Sequence, residues 1–177
     1  VADVGEEGLG NLRGVRYLFE KGPLRKRIDL FVSLDGAGDF AITNGGVASR
    51  RYRVTFRGPG GHSFGAFGLV SPAFAMAGAV ARLSRFQVPK NPKTTFNVGV
   101  YGGGTSVNSI PVATWMEVDM RSESPAELAR LEEQFLAAVK EAVEEENRVR
   151  SREHGPIVAD PKPVSYTHLR AHETVLD

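Results

Sequence analysis

The sequence predicts a piece of a parallel α/β sheet in residues 1–45, followed by an α+β domain with the order β-α-β-β-α-β. Two observations predict this division. A helical pattern precedes an almost continuously apolar run early in the chain, whereas strands of strictly alternating polarity follow Gly45-Gly46. Continuous apolar runs are typical of parallel strands buried on both faces, and alternation is typical of antiparallel strands with one face in water. The change therefore predicts a domain boundary near Gly46.

The first part is predicted to contain a helix that Asn11 caps and Gly22-Pro23 ends. Its apolar residues recur at helical spacing: Leu12, Val15, Leu18 and Phe19. The run IDLFVSL, residues 28–34, predicts a strand buried on both faces that ends at Asp35-Gly36. Together with a strand end in residues 1–5, these elements predict a piece of a parallel α/β sheet.

Residues 50–57 predict an antiparallel strand with apolar residues on one face and arginines on the other. The two sets are Tyr52, Val54 and Phe56, and Arg51, Arg53 and Arg57. The arginines could form a stripe that binds nucleic acid, but they are few and the chain has a net charge of only +1. A solvated sheet face is therefore the better interpretation.

Two helices and three more strands are predicted to complete this domain. Ser71-Pro72 predicts the start of a helix to about Arg85, and strands are predicted at 94–101 and 113–121. A capping box, Ser124-Pro125-Ala126-Glu127, predicts a long helix to about Arg150. One stripe of that helix is apolar: Leu128, Leu131, Phe135, Val139 and Val143. With a last strand towards residue 160, the layout is a ferredoxin-like split βαβ, in which two helices cover one side of a four-stranded sheet.

The composition excludes several classes of protein. The 177 residues contain 22 basic and 21 acidic side chains, so no long-range field favours nucleic acid or an anionic membrane. The chain contains no run of about 18 apolar residues, so the sequence predicts no membrane-spanning helix. The lack of cysteine excludes disulfides, thiolate metal sites and a cysteine nucleophile. The chain begins Val1-Ala2-Asp3, without an initiator methionine, and we expect native sequence to precede it.

The acidic pair Glu6-Glu7 and the strand-end residue Asp35 are candidates for a metal site. Ligands bind at the carboxyl ends of strands in such sheets, and adjacent carboxylates can supply a general base and a metal ligand. On the residues alone, an acidic turn that caps the following helix is the simpler interpretation. A phosphate-binding loop is weaker still, because two glutamates would repel a phosphate.

Two glycine-rich loops are candidates for ligand contact. The stretch GPGGHSFG, residues 58–65, contains His62, and the stretch YGGGTSVNSIP, residues 101–111, contains Asn108. A single histidine in a loop is usually only solvated. Two such loops on one sheet, both with polar side chains, leave solvation and ligand contact equally open.

Five motifs in order, GEEGLGN, SLDG, GPGGHS, GGGTSVNSIP and VDMRS, resemble the M20 peptidase family over residues 1 to about 163. The resemblance implies a dinuclear zinc exopeptidase or deacylase, with cobalt or manganese as possible replacements for zinc. It implies a zinc-exopeptidase-like α/β catalytic domain interrupted by a smaller lid domain that dimerises. Residues 1–45 would then be a partial catalytic domain, 46–160 the lid domain, and 161–163 the return towards the catalytic domain.

The resemblance also implies roles for individual residues. Glu6 matches the general base, Glu7 a ligand of one metal, and Asp35 a ligand of the other. His62 matches a lid histidine that crosses the dimer and polarises the scissile carbonyl of the partner's substrate.

Two further residues are implied to contact substrate. Asn108 resembles a lid residue that contacts substrate, and Arg121 resembles an arginine that holds a substrate carboxylate, a role suited to a planar bidentate donor. The implied substrate is a small peptide or an N-acyl amino acid, and the implied assembly is a homodimer in the cytoplasm.

The family pattern also contains ligands that residues 1–163 lack. A His-x-Asp motif and a downstream histidine are missing from them, so we expect this chain to be inactive alone. Two alternatives stay open. One is a non-catalytic dimerisation or ligand-binding protein built on the same lid domain, although the presence of Glu6 argues against it. The other is an N-acyl-amino-acid deacylase in place of a peptidase.

The segment THLRAHE, residues 167–173, places His168 and His172 at helical i, i+4 spacing, which is typical of a helical zinc site. However, residues 164–174 are identical to one reading frame of a common transposase-based sequencing adapter. We therefore interpret residues 164–177 as an adapter-derived tail and the histidine pair as an accident of that reading frame.

Overall fold

A computed structural model describes residues 12–32 and 46–167 of the chain. The chain divides into two compact units, Val1–Gly46 and Val47–Asp177. The assignment of these parts to a catalytic domain, a lid domain, a return segment and an adapter-derived tail stays a prediction. No helix among the described residues is long and apolar enough to cross a membrane.

The described part of the first unit contains one helix, α1, at Arg13–Glu20. The predicted helix is confirmed. Its N-cap position is Leu12, with φ 52° and no side-chain cap hydrogen bond. Asn11, the predicted capping residue, lies outside the described residues. The helix ends where the amides of Lys21 and Gly22 both donate to the carbonyl oxygen of Tyr17, at 2.9 and 2.6 Å.

The prediction of a doubly buried strand at 28–34 is wrong for its described part. Residues 28–32 form no strand, and Leu30 and Val32 are 82% and 69% exposed. A strand is buried on both faces only where neighbouring strands and covering helices surround it. In the described part of this unit the only regular element is α1, and none of its residues is buried. Apolar composition alone could not supply those neighbours.

The second unit is a four-stranded antiparallel sheet. Its strands are β1 (Ala48–Arg57), β3 (Thr94–Gly103), β5 (Ala113–Ser122) and β6 (Val158–Thr167), in the order β3-β5-β1-β6. A separate two-stranded ribbon pairs β2 (Gly61–His62) with β4 (Ser109–Ile110). The predicted β-α-β-β-α-β order and the ferredoxin-like arrangement are confirmed. Strand β6 continues through Val164, and the pairing of a strand does not bear on the origin of its sequence.

Helices α2 (Pro72–Leu83) and α3 (Pro125–Val149) cover one face of the sheet. The side chains of Val54, Phe56, Met116 and Phe135 are completely buried between these layers. The helices approach closely because α2 is rich in small residues: a Cβ atom on Gly78 would lie only 3.5 Å from that of Ala142. Full burial of each large apolar side chain contributes roughly 1.5–3 kcal/mol to the free energy of unfolding.

Side-chain oxygens accept hydrogen bonds from backbone amides at the N-termini of both helices. The hydroxyl of Ser124 accepts from the amide of Glu127 at 3.4 Å, as the predicted cap requires. At α2 the acceptor comes from the other helix: Glu146 accepts from the amide of Ser71 at 2.8 Å and from Arg150 Nη1 at 2.5 Å. Glu146 is 4% exposed, so this carboxylate satisfies two donors away from water.

Candidate functional site

The two glycine-rich loops lie side by side at one end of the sheet. His62 pairs with Ser109 in the β2–β4 ribbon, and the amide of Ser63 donates to the carbonyl oxygen of Asn108 at 2.9 Å. The amide of Gly58 donates to the carbonyl of Val112 at 3.0 Å, which ties the ribbon to the end of β1. The sequence named both loops as candidates, and the structure brings them together.

Glycine is required at the turn before His62. Gly60 has φ 73°, and a Cβ atom there would lie 2.5 Å from Cγ1 of Val112. A non-glycine residue would therefore meet both backbone strain and a steric clash. The position of His62 depends on this turn.

The imidazole of His62 is held by the backbone of its own loop. The amides of Phe64 and Gly65 donate to Nδ1 at 3.3 and 3.4 Å. With Nδ1 as an acceptor, the neutral ring carries its proton on Nε2. The side chain is exposed, so His62 presents an N–H donor on the surface of the ribbon.

Asn108 has a similar arrangement. Its Oδ1 accepts from the hydroxyl of Ser106 at 2.6 Å, which leaves the Nδ2 amide group as a donor on an exposed side chain. His62 and Asn108 thus contribute two donors from adjacent loops. Such a pair suits contact with a carbonyl or developing oxyanion.

An apolar groove of about 450 Å³ lies beside these loops. Phe67 and Val107, which line it, are highly exposed, and Phe64 in the same loop is 88% exposed. At another side of the groove, the guanidinium of Arg150 lies 4.5 Å from the ring centre of Phe74. Sequence reasoning missed these residues, although two phenylalanines within the glycine-rich stretch SFGAFG were a usable signal.

Arg121 lies on the sheet face opposite the helices, which we call the outer face. Its Nε donates to Oδ2 of Asp119 at 2.7 Å, and Nε of Arg51 donates to Oδ1 of the same carboxylate at 2.8 Å. Burial opposes ionisation of Asp119, but hydrogen bonds from the two arginines outweigh it and hold the pKa of this carboxyl below its ordinary value. Asp119 therefore carries its charge at neutral pH.

The neighbouring cross-strand pair on the outer face is a one-to-one ion pair. Arg53 donates to Glu117 at 2.8 Å, and its guanidinium lies 3.8 Å from the ring centre of Trp115. The predicted polar face is confirmed, and acidic partners on β5 pair with two of its arginines. This pairing removes the continuous positive stripe that nucleic-acid binding would need.

His62 and Arg121 lie towards opposite ends of the sheet. Arg57 pairs with Ala113 at the end next to the ribbon, whereas Ser49 pairs with Arg121 at the other end. The eight residue steps from Ala113 to Arg121 along the strand span roughly 26 Å. One small substrate could not contact both residues within one protomer.

The predicted metal site lies outside the described residues. Glu6, Glu7 and Asp35 fall there, as do His168 and His172 of the tail. Within residues 12–32 and 46–167, no three histidine, aspartate or glutamate side chains are grouped as metal ligands. The described part of the chain therefore contributes the hydrogen-bond donors of His62 and Asn108 and the guanidinium of Arg121. The predicted metal ligands all lie in other parts of the sequence.

Comparisons with known proteins place the second unit. A family model described as a peptidase dimerisation domain, M20_dimer, matches residues 46–147. No curated protein sequence matches the chain.

Three solved structures illustrate the similarity of fold. An aminobenzoyl-glutamate utilization protein from Klebsiella pneumoniae has a TM-score of 0.60 and 21% identity over 68% of this chain and 28% of its own. A hydantoinase/carbamoylase family amidase from Burkholderia vietnamiensis has a TM-score of 0.55 and 18% identity over 68% and 28%. Aminopeptidase PepT from Bacillus cereus has a TM-score of 0.53 and 17% identity over 73% and 33%. This chain therefore spans a third or less of these three structures.

Proposed function

This chain belongs to the M20 peptidase dimerisation domain family, and we propose that it is part of a metal-dependent hydrolase that cleaves a peptide or N-acyl amide bond. The observation that carries the proposal is the hydrogen bonding of the His62 imidazole. Its Nδ1 accepts two backbone hydrogen bonds, so its Nε2–H is a preorganised donor on an exposed ribbon. Preorganised donors stabilise the negative charge that develops on a carbonyl oxygen during hydrolysis.

Asn108 supports the same role from the adjacent loop. Its amide group lies on the partner loop of the ribbon, whose backbone bonds to Ser63 beside His62. Removal of one oxyanion donor typically lowers turnover by about 10²–10³-fold. His62 and Asn108 would therefore act on the reacting carbonyl, whereas Arg121 would bind a carboxylate elsewhere on the substrate.

The separation of His62 and Arg121 supports a site shared by two subunits. They lie near opposite ends of a ten-residue strand pair, whereas a dipeptide or N-acyl amino acid is far shorter than the roughly 26 Å between those ends. In a homodimer, the partner's His62 and Asn108 would complete the site that contains Arg121 of this protomer. We propose that assembly.

The proposal takes Glu6 as the general base and Glu7 and Asp35 as metal ligands, as the family resemblance implies. A bound zinc ion would supply Lewis acidity and lower the pKa of a bound water. Cobalt or manganese could take its place. Glu6, Glu7 and Asp35 lie outside the described residues.

Residues 47–163 provide the first test of the assembly. They retain the pairing of β6 residues 158–163 with β1 residues 52–57, and the whole helical layer. We expect this segment to fold by circular dichroism and to be a dimer by light scattering. A folded monomer would contradict the shared site.

A chimera tests the activity. Residues 46–163 would replace the dimerisation domain of a tripeptidase that has a complete active site, and hydrolysis of tripeptides and N-acetyl amino acids would be measured. We expect the chimera to hydrolyse one of these substrate classes and the unmodified 177-residue chain to hydrolyse neither. A chimera that folds and dimerises but hydrolyses nothing would favour a non-catalytic binding domain. The preferred substrate would separate a peptidase from a deacylase.

A further inference from the structure

We propose that Asp119 is a positioning residue that orients the guanidinium of Arg121 for a carboxylate-bearing substrate, with Arg51 holding Asp119 from its other side. The inference rests on the proposed function, in which Arg121 binds the substrate carboxylate. It adds two residues of the outer face to that site, neither of which would touch the substrate.

The geometry indicates that Asp119 orients the side chain of Arg121 and does not merely neutralise its charge. Asp119 gives a different oxygen to each arginine: Oδ2 accepts from Arg121 and Oδ1 from Arg51, through Nε in both cases. Arg121 is thereby held through Nε alone. Among the residues that the structure describes, no hydrogen bond engages its Nη1 or Nη2, the planar pair that can bind a carboxylate with two parallel bonds.

Burial increases along this chain of contacts. The side chain of Arg121 is 47% exposed, that of Asp119 33% and that of Arg51 24%. Arg121, which would contact the ligand, is therefore in contact with water, whereas Arg51, at the other end of the group, is largely buried. Arginine has one of the largest side-chain entropies, so fixing its Nε in advance removes much of the ordering cost from binding.

The charges favour an anion at Arg121 over its neighbour Arg53. Arg121 shares the single carboxylate of Asp119 with Arg51. In the adjacent row, Arg53 and Glu117 form a one-to-one pair at 2.8 Å. A substrate carboxylate would therefore meet less compensating negative charge beside Arg121, whose aspartate is shared, than beside Arg53, whose glutamate is not.

Two isosteric substitutions separate positioning from charge. Asp119→Asn and Glu117→Gln each remove one negative charge from the outer face, but only Asp119 contacts Arg121. If Asp119 acted through charge alone, both variants would bind a carboxylate more tightly. If it positions Arg121, Asp119→Asn weakens binding although it removes a repulsive charge, and Glu117→Gln does not.

The measurement is a titration of the isotope-labelled 177-residue chain with N-acetylglycine, followed through the Nε–Hε resonance of Arg121. We expect Asp119→Asn to raise the dissociation constant about threefold to tenfold relative to the wild type. Arg51→Lys, which keeps the charge but loses the Nε bond to Asp119, should raise it in the same direction by less. This second variant keeps the test decisive if Asp119→Asn does not fold.

Each outcome points to one conclusion. Binding that is unchanged or tighter in Asp119→Asn, or in Arg51→Lys where only that variant folds, would overturn the positioning role and leave the proposed function intact. A wild-type Arg121 resonance that does not respond to N-acetylglycine would overturn both the positioning role and the carboxylate-binding role of Arg121. Equal weakening in Asp119→Asn and Glu117→Gln would show a general disturbance of the outer face and also overturn the proposal.

Discussion

His62 lies directly opposite Ser109 in a two-residue antiparallel ribbon. This pairing places the histidine of one glycine-rich loop next to the loop that contains Asn108. Because the ribbon is tied to the last residues of β1 and the first of β5 through the Gly58–Val112 hydrogen bond, its position is fixed by the sheet and not by the loops alone.

Replacement of His62 by alanine in the tripeptidase chimera is expected to lower kcat about 10²–10³-fold and to change KM little, because the lost donor stabilises charge that develops in the transition state. His154→Ala is the matched control, since His154 is exposed in a turn beyond α3. Steady-state kinetics on both variants decide the question. Equal activity of the two variants would remove His62 from the reaction.

Replacement of Gly60 by alanine is expected to destabilise the second unit by about 1–3 kcal/mol, because residue 60 needs a positive φ and has no space for a Cβ atom. Gly65→Ala, in the same loop, is expected to change stability by less than about 0.5 kcal/mol. A Cβ atom on Gly65 would meet nothing within 4 Å. Urea unfolding compares the two variants, and equal losses would contradict the role given to the turn.

Replacement of Glu146 by alanine is expected to cost about 2–4 kcal/mol of unfolding free energy, because it leaves the amide of Ser71 and the guanidinium of Arg150 without this acceptor. Glu146→Gln should cost less, since its amide oxygen can still accept from Ser71. Glu144→Ala is the surface control: its pair with Lys140 is 3.8 Å long and exposed, so the expected change is below about 0.5 kcal/mol. A control loss as large as that of Glu146→Ala would argue against a specific cap.

The ion pairs of Asp119 predict a loss of stability in acid. Its pKa is lowered in the folded chain from the ordinary value of 3.8. A lowered pKa stabilises the fold at pH values above 3.8, and this contribution is lost as the pH falls through the lower folded value. The difference in unfolding free energy between wild type and Asp119→Asn should therefore shrink below that pH. Urea unfolding across the acid range measures it, with Glu153→Gln as an exposed control, and a constant difference would contradict the prediction.

Much of the second unit could be predicted from its sequence because its elements carry local patterns. Residues spaced at helical intervals on α3, such as Leu131 and Phe135, are buried as that spacing predicts, and the alternation around Val54 gives the correct face of β1. The predicted doubly buried strand was wrong over its described residues, 28–32, because burial of a strand depends on neighbours that an apolar run cannot specify. The failure and the success thus have the same cause: local periodicity carries information about faces, and little about partners.

The candidate site shows the same limit. The glycine-rich stretches marked His62 and Asn108 as separate candidates, but their adjacency depends on the pairing of His62 with Ser109, which is distant in the sequence. The distance from Arg121 to His62 follows only from strand register. By contrast, the Asp119–Arg121 contact could have been predicted, since residues i and i+2 of a strand lie on the same face.

Strand β1 pairs with β5 on one side and with β6 on the other, and Arg57 reaches Val158 across most of the domain sequence. At typical synthesis rates of about 5–20 residues per second, the roughly hundred residues between them take about 5–20 s to leave the ribosome. During that interval one edge of β1 has no strand to pair with. Its arginines, Arg51, Arg53 and Arg57, alternate with the apolar residues along that open edge, and charged residues there disfavour pairing with other nascent chains. The arginines that lie on the outer face of the folded sheet would thus also protect the growing polypeptide from aggregation.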